Sequence, residues 1–213
     1  MTNSVTDNST EVDGVSSQAV ENDIRVLQSL QLQRSMPVLL EGNLAAAAMV
    51  AFCDWDGFIG SYAYVAVIGL FILLWPMAKS YSRLRNAPPP KSVSKSRLHR
   101  IRVHSLLMGL AWCGCLILLL PCVESTTGLA VIVMMFFLGY GSVALNPSLP
   151  YAAGAYFGPI FLASFAGSII NETMPLHFAI LLHVIGAVAM IRTARQNWED
   201  VQSSVRMSLT RLQ

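Results

Sequence analysis

Few side chains in the apolar stretches of this 213-residue sequence could do more than pack. Glu41 stands two residues before Asn43 in one such stretch, and an ionisable group there is costly enough to mark a functional position. Either Glu41 snorkels to water or accepts from Asn43 and Arg34, or it titrates as a gate. Glu41 and Asn43 are therefore the candidate intramembrane polar switch. His177 and His183 lie six residues apart, a helical rotation of about 600° that leaves them roughly 120° apart. They cannot clamp one metal or haem from a single face. His183 is then a neutral histidine bonded to a neighbouring hydroxyl or carbonyl, a pocket residue, or a haem ligand whose partner is missing. His99 and His104 fall in a basic segment and supply no deep partner. With the aromatic groups of Trp112 and Tyr156, His183 marks a candidate ligand or signal pocket among the third to sixth apolar stretches.

Cys53, Cys113, Cys115 and Cys122 match no zinc spacing. Cys53 and Cys122 fall at stretch ends, where an oxidising compartment would permit a disulfide; packed free thiols are the alternative. No catalytic cluster, metal set or cofactor is expected, haem included.

The elements that must position these residues follow from charge. Hydrophobic residues make up 54% of the chain and charged residues 12%, about half of the roughly 25% charged in a soluble domain. Residues 57–78, 103–123, 125–171 and 173–191 contain no Asp, Glu, Lys or Arg, gaps of 22, 21, 47 and 19 residues. A membrane-spanning helix needs about 20 such residues. The longest gap holds two spans, because Asn146, Pro147, Ser148 and Pro150 interrupt it. With Pro37 to Cys53 added, the expected fold is all-α: a polytopic six-helix transmembrane bundle with cytoplasmic N- and C-termini. The spans are expected near 37–53, 58–78, 105–121, 127–145, 151–170 and 175–191, joined after the second by a basic cytoplasmic loop, 79–104. Residues 1–19 are too polar to offset their ordering entropy and are expected to be disordered. Residues 20–36 suit a juxtamembrane amphipathic helix, or a plain solvated lead-in.

Lys and Arg accumulate on the cytoplasmic side of membrane proteins. Six spans with both termini inside put all 14 basic residues on that side, while the other face receives only Asp54, Asp56, Glu124 and Glu172. A polar leader before the first apolar run excludes a cleavable signal peptide. The far-side connections are too short for a ligand-binding domain. A signal from outside must be small and apolar, or arrive dissolved in the membrane. The expected setting is a bacterial inner membrane, with the lipid bilayer as one partner and no nucleic acid.

After Ile191 the chain runs to Gln213 without Pro or Gly. Trp198, Val201, Val205 and Leu212 fall at a, d, a and a of a heptad, so 192–213 is expected to be a cytoplasmic signalling helix with a seam for a homodimer; a tail on the membrane surface is the alternative. It stops without a capping signal, as does a fragment, or a small protein that pairs through its tail.

These features resemble a family. The lead-in Ile24 to Arg34, Met36-Pro37, Asn43, the basic loop, Gly109-Leu-Ala-Trp112 and Leu116 to Pro121 carry the likeness in the first half. Asn146-Pro-Ser-Leu-Pro150, Pro159, Met174-Pro-Leu-His177 and Gln196-Asn197 carry it in the second. The sequence resembles the six-helix N-terminal sensory domains of bacterial signalling proteins, most of all diguanylate cyclases with GGDEF output domains, less often histidine kinases. Glu41 departs from that pattern, and no GGDEF, EAL or kinase motif is present. The resemblance implies a sensory and dimerising input module, not itself an enzyme, whose last helix drives an output domain in cis or a partner protein. The competing expectation is a small transporter or channel, although neither an internal repeat nor a midplane carboxylate accompanies it.

Overall fold

The computed structural model of the protein describes residues 8–210 apart from 54, 55, 57, 58, 60, 86, 89, 91, 146, 147, 171 and 173. Of residues 8–20, 53, 206 and 208–210 it describes the backbone alone. Six long helices follow one another: α1 (Asn8–Cys53), α2 (Ala63–Leu84), α3 (Lys95–Leu119), α4 (Ser125–Leu145), α5 (Pro150–Ile170) and α6 (Leu176–Thr210), with a 3-10 turn at Leu120–Cys122. Each contains a segment long and apolar enough to cross a membrane, and no strand occurs among the described residues. The outward faces stay apolar, with Ile72 and Trp75 on α2, Phe137 on α4, Leu162 on α5 and Ile191 on α6 all exposed. Helices apolar on every side are those that lipid surrounds.

Helix length separates two classes. α2, α4 and α5 have 22, 21 and 21 residues, about 32 Å at 1.5 Å per residue, which matches a hydrocarbon core of about 30 Å. α1 has 46 residues and α6 has 35, or about 69 and 52 Å, so both project well beyond the bundle. The projections meet one end of it. Gln28 on α1 donates to the Ser148 carbonyl between α4 and α5 (2.7 Å), Gln33 donates to the Leu84 carbonyl at the end of α2, and Lys95 pairs with Glu21 at 3.0 Å. On α6, Asn197 donates to the Val143 carbonyl at 3.4 Å. This end also carries the basic α2–α3 connection and is called the basic end below.

Three boundaries differ from those expected. Helix begins at Asn8, inside the segment expected to be disordered, and 20–36 is not a separate element: α1 continues through Pro37 into the first span. Elongating a formed helix costs far less than nucleating one, and Pro37 forfeits one backbone bond without stopping the chain. The basic segment 79–104 is largely helical, because α2 runs on to Leu84 and α3 starts at Lys95, capped by the Ser94 hydroxyl accepting from the Arg97 N–H at 3.3 Å. Span two begins later than expected, at Ala63, after a left-handed Tyr62 (φ 58°).

α3 is the central helix. Trp112, Leu116 and Leu119 on it are buried in one apolar cluster with Val50 of α1, Leu70 of α2, Ile132 and Met135 of α4 and Ile160 of α5. It approaches α5 so closely at Gly109 that a Cβ there would run into the Tyr156 backbone carbonyl. Small residues at such crossings let helices pack where lipid supplies no hydrophobic drive.

Candidate functional site

Asn43, Trp112 and Tyr156 come from three helices and meet at one atom. The Asn43 Oδ1 accepts from the Trp112 indole N–H at 2.8 Å and from the Tyr156 hydroxyl at 2.9 Å, while its Nδ2 donates to the Leu39 carbonyl at 2.7 Å. The indole N–H can only donate, so Trp112 fixes which amide atom faces it. All three residues are buried. The two cross-helix bonds tie α1 to α3 and α5, and satisfy three polar groups at a depth where an orphan is expensive.

Neither of the other two residues expected to act there joins this hub. Glu41 is exposed on α1 and makes no hydrogen bond or ion pair among the described residues; the Asn43 amide it was expected to meet bonds its own helix instead. His183 is buried on α6, where its Nδ1 donates to the Ala179 carbonyl at 2.8 Å. Phe136 of α4 and Phe161 and Phe165 of α5 surround the imidazole with ring centroids 5.1, 5.2 and 5.1 Å away. A carbonyl accepts only, so Nδ1 carries the proton and Nε2 is left as a bare acceptor without a partner. The pocket expected to join His183 to Trp112 and Tyr156 is thus two separate places.

The open space lies elsewhere. A cavity of about 480 Å³ opens between α1, α2, α3 and α5 near the basic end. Asn43 and Tyr156 form its polar floor, apolar side chains such as Met36, Met77 and Met108 its walls, and Arg97 and Arg100 a cationic side beside His104. Arg97, Arg100, Ile101, His104, Ser105 and Met108 recur at helical spacing, so one stripe of α3 faces the cavity throughout.

A second, groove-like space of about 760 Å³ separates α1 from the extension of α6, with Leu27, Leu30, Arg34 and Val38 on one side and Asn197 and Val201 on the other. Part of the heptad seam therefore faces the chain's own first helix. Val201 lines the groove, Trp198 is half-buried and Val205 is 2% exposed within the single chain. Leu212 lies outside the described residues, as does the side chain of Cys53; Cys113, Cys115 and Cys122 are free thiols.

No protein-family model, curated protein or solved structure matches the chain. Function therefore has to be argued from the geometry. Two features of this geometry are not evident from the sequence. The basic stripe lies in the segment expected to be a loop, although the spacing of Arg97, Arg100 and His104 places them on one helix face. The position of α1 between the cavity and the groove has no sequence signal beyond the absence of Gly and Pro from Val15 to Met36.

Proposed function

We propose that the protein is a membrane-embedded sensory module in which α1 relays the occupancy of the cavity to the extension of α6. The observation that carries this reading is the position of α1 between the two spaces. Leu32, Met36, Leu39 and Asn43 turn one face of α1 to the cavity, and Leu27, Leu30, Arg34 and Val38 turn another to the groove beside α6. An occupant that favours one placement of α1 over another shifts the population of the second placement only through its difference in affinity for the two. Since α1 is one unbroken helix through both regions, a tilt at Asn43 changes the groove at Arg34.

α6 is the output element. It runs unbroken from Leu176 to Thr210, so a displacement at the basic end is carried outward along its axis. Moving α1 away would uncover Val201 for a second copy or an output domain. The gathering of basic residues at this end supports a cytoplasmic reading of it, and a bacterial inner membrane is the setting that suits a cyclase or kinase output supplied in cis or by a partner protein.

The test is a fusion of a diguanylate cyclase domain to Gln213 through spacers of zero to seven alanines, assayed in membranes. A relay through a helical seam makes cyclase activity rise and fall with a period of about 3.5 residues. Activity indifferent to spacer length would overturn the reading, and solute flux into proteoliposomes would favour a transporter in its place.

A further inference from the structure

We infer that the cavity near the basic end binds a free, single-chain anionic amphiphile, with its head group between Arg97, Arg100 and His104 and its alkyl chain toward Met108. Four observations converge on this class. Among the described residues no Asp or Glu lines the cavity, and the ion pairs, Arg25–Glu21 and Lys95–Glu21, involve neither arginine. The Nε2 of His104 is buried without a hydrogen-bond partner among the described residues and, unlike the His183 Nε2 enclosed by phenylalanine rings, belongs to a side chain that lines open space, where an occupant can satisfy it.

The third observation is the placement of charge along the stripe. From Arg97 to Met108 the helix rises about 16 Å, with both guanidinium groups at one end, Ile101, His104 and Ser105 between, and methionine at the other. A charged head with one extended chain likewise carries its charge at one end. The fourth is size: 480 Å³ falls within the roughly 300–1,000 Å³ of small-molecule sites, room for one chain rather than the two of a phospholipid. Methionine walls accommodate chains of differing length.

Arg102 provides an internal control. It sits on the same helix but stacks on the Tyr151 ring, 5.0 Å from its centroid, and does not line the cavity. That the amphiphile is a signal rests on the relay proposed above; that it binds does not.

The experiment measures laurate and dodecanol binding to the full chain in phosphatidylcholine nanodiscs by native mass spectrometry. Laurate should bind with one-to-one stoichiometry, and the paired change Arg97→Gln with Arg100→Gln should weaken it by about tenfold or more, the scale of a lost charge-assisted bond. Dodecanol should bind the wild type and the paired variant alike, and Arg102→Gln should leave laurate unaffected. Equal losses for laurate and dodecanol, or an equal loss in Arg102→Gln, would overturn the head-group assignment. Phosphatidylglycerol retained from mixed nanodiscs and resistant to laurate would assign the cavity to a lipid head group instead. Tight laurate binding with a cyclase fusion that ignores it would leave the binding site standing and remove the relay.

Discussion

Asn43 and His183 are both 2% exposed polar residues in apolar helices, yet they are held in opposite ways. Asn43 takes bonds from α3 and α5 and so joins three helices. His183 bonds its own helix and meets α4 and α5 only through aromatic rings. Burial alone therefore says little about what a polar group does in a membrane; what matters is whether its partner belongs to another element. The Asn43 region is directional and borders open space, which suits a place that must hold one arrangement and be able to exchange it for a second. The His183 region is a packed aromatic cluster, fit to hold α6 against α4 and α5.

Asn43→Leu should break the difference most severely. It orphans the Trp112 N–H and the Tyr156 hydroxyl, and at about 0.6–2 kcal/mol for each interhelical bond the loss should come to about 1–4 kcal/mol. Unfolding in mixed micelles by increasing dodecyl sulfate measures it, and a loss no greater than that of His183→Phe would erase the distinction.

A pair of glycines sharpens the same contrast. Gly109→Ala sets a methyl against the backbone carbonyl of Tyr156, whereas Gly186→Ala sets one against the edge of the Phe136 ring. Backbone cannot move aside without shifting α3 from α5, so the first should cost about 1–3 kcal/mol. A ring can turn, and alanine is the better helix former, so the second should cost under about 1 kcal/mol. The same micelle titration ranks them, and the reverse order would mean that the aromatic cluster is the more rigid region.

The smallest effect belongs to His183→Phe. A ring of similar size replaces the imidazole, no cross-helix bond is lost, and stability should fall by less than about 1 kcal/mol. A larger fall would show that the bare Nε2 has a partner that the packing alone does not supply.

Much of this architecture was legible in the sequence, because the cost of burying charge makes charge-free gaps a ruler for spans. Five of the six spans follow from those gaps and the first from the apolar run around Glu41, whereas the helical continuations of α1, α3 and α6 beyond their spans do not. Asn43, Trp112 and Tyr156 were also visible one at a time, as a polar group and two aromatics with polar tips at membrane depth. Their meeting was not, since the hub joins residues 69 and 113 positions apart and no periodicity links separate helices. The continuity of α1 through Pro37 was hidden for a different reason. Proline marks a probable helix boundary by its own chemistry, yet tertiary contacts hold the helix on both sides of it, Gln28 to Ser148 and Gln33 to Leu84 before Pro37 and Asn43 to Trp112 and Tyr156 after it.

The relay through α1 is tested most directly by a distance between the two projecting helices. Spin labels at Asp23→Cys on α1 and Glu199→Cys on α6, both exposed sites, are placed in a chain whose native cysteines are replaced by alanine. The interspin distance is measured by pulsed electron resonance in nanodiscs with and without saturating laurate. Coupling between cavity and output helix requires the distribution to shift by about 1–2 Å or more, and to stay fixed in the Arg97→Gln, Arg100→Gln chain at a laurate concentration that this chain does not bind. An unchanged distribution in the wild-type background, with laurate shown to be bound, would contradict the relay.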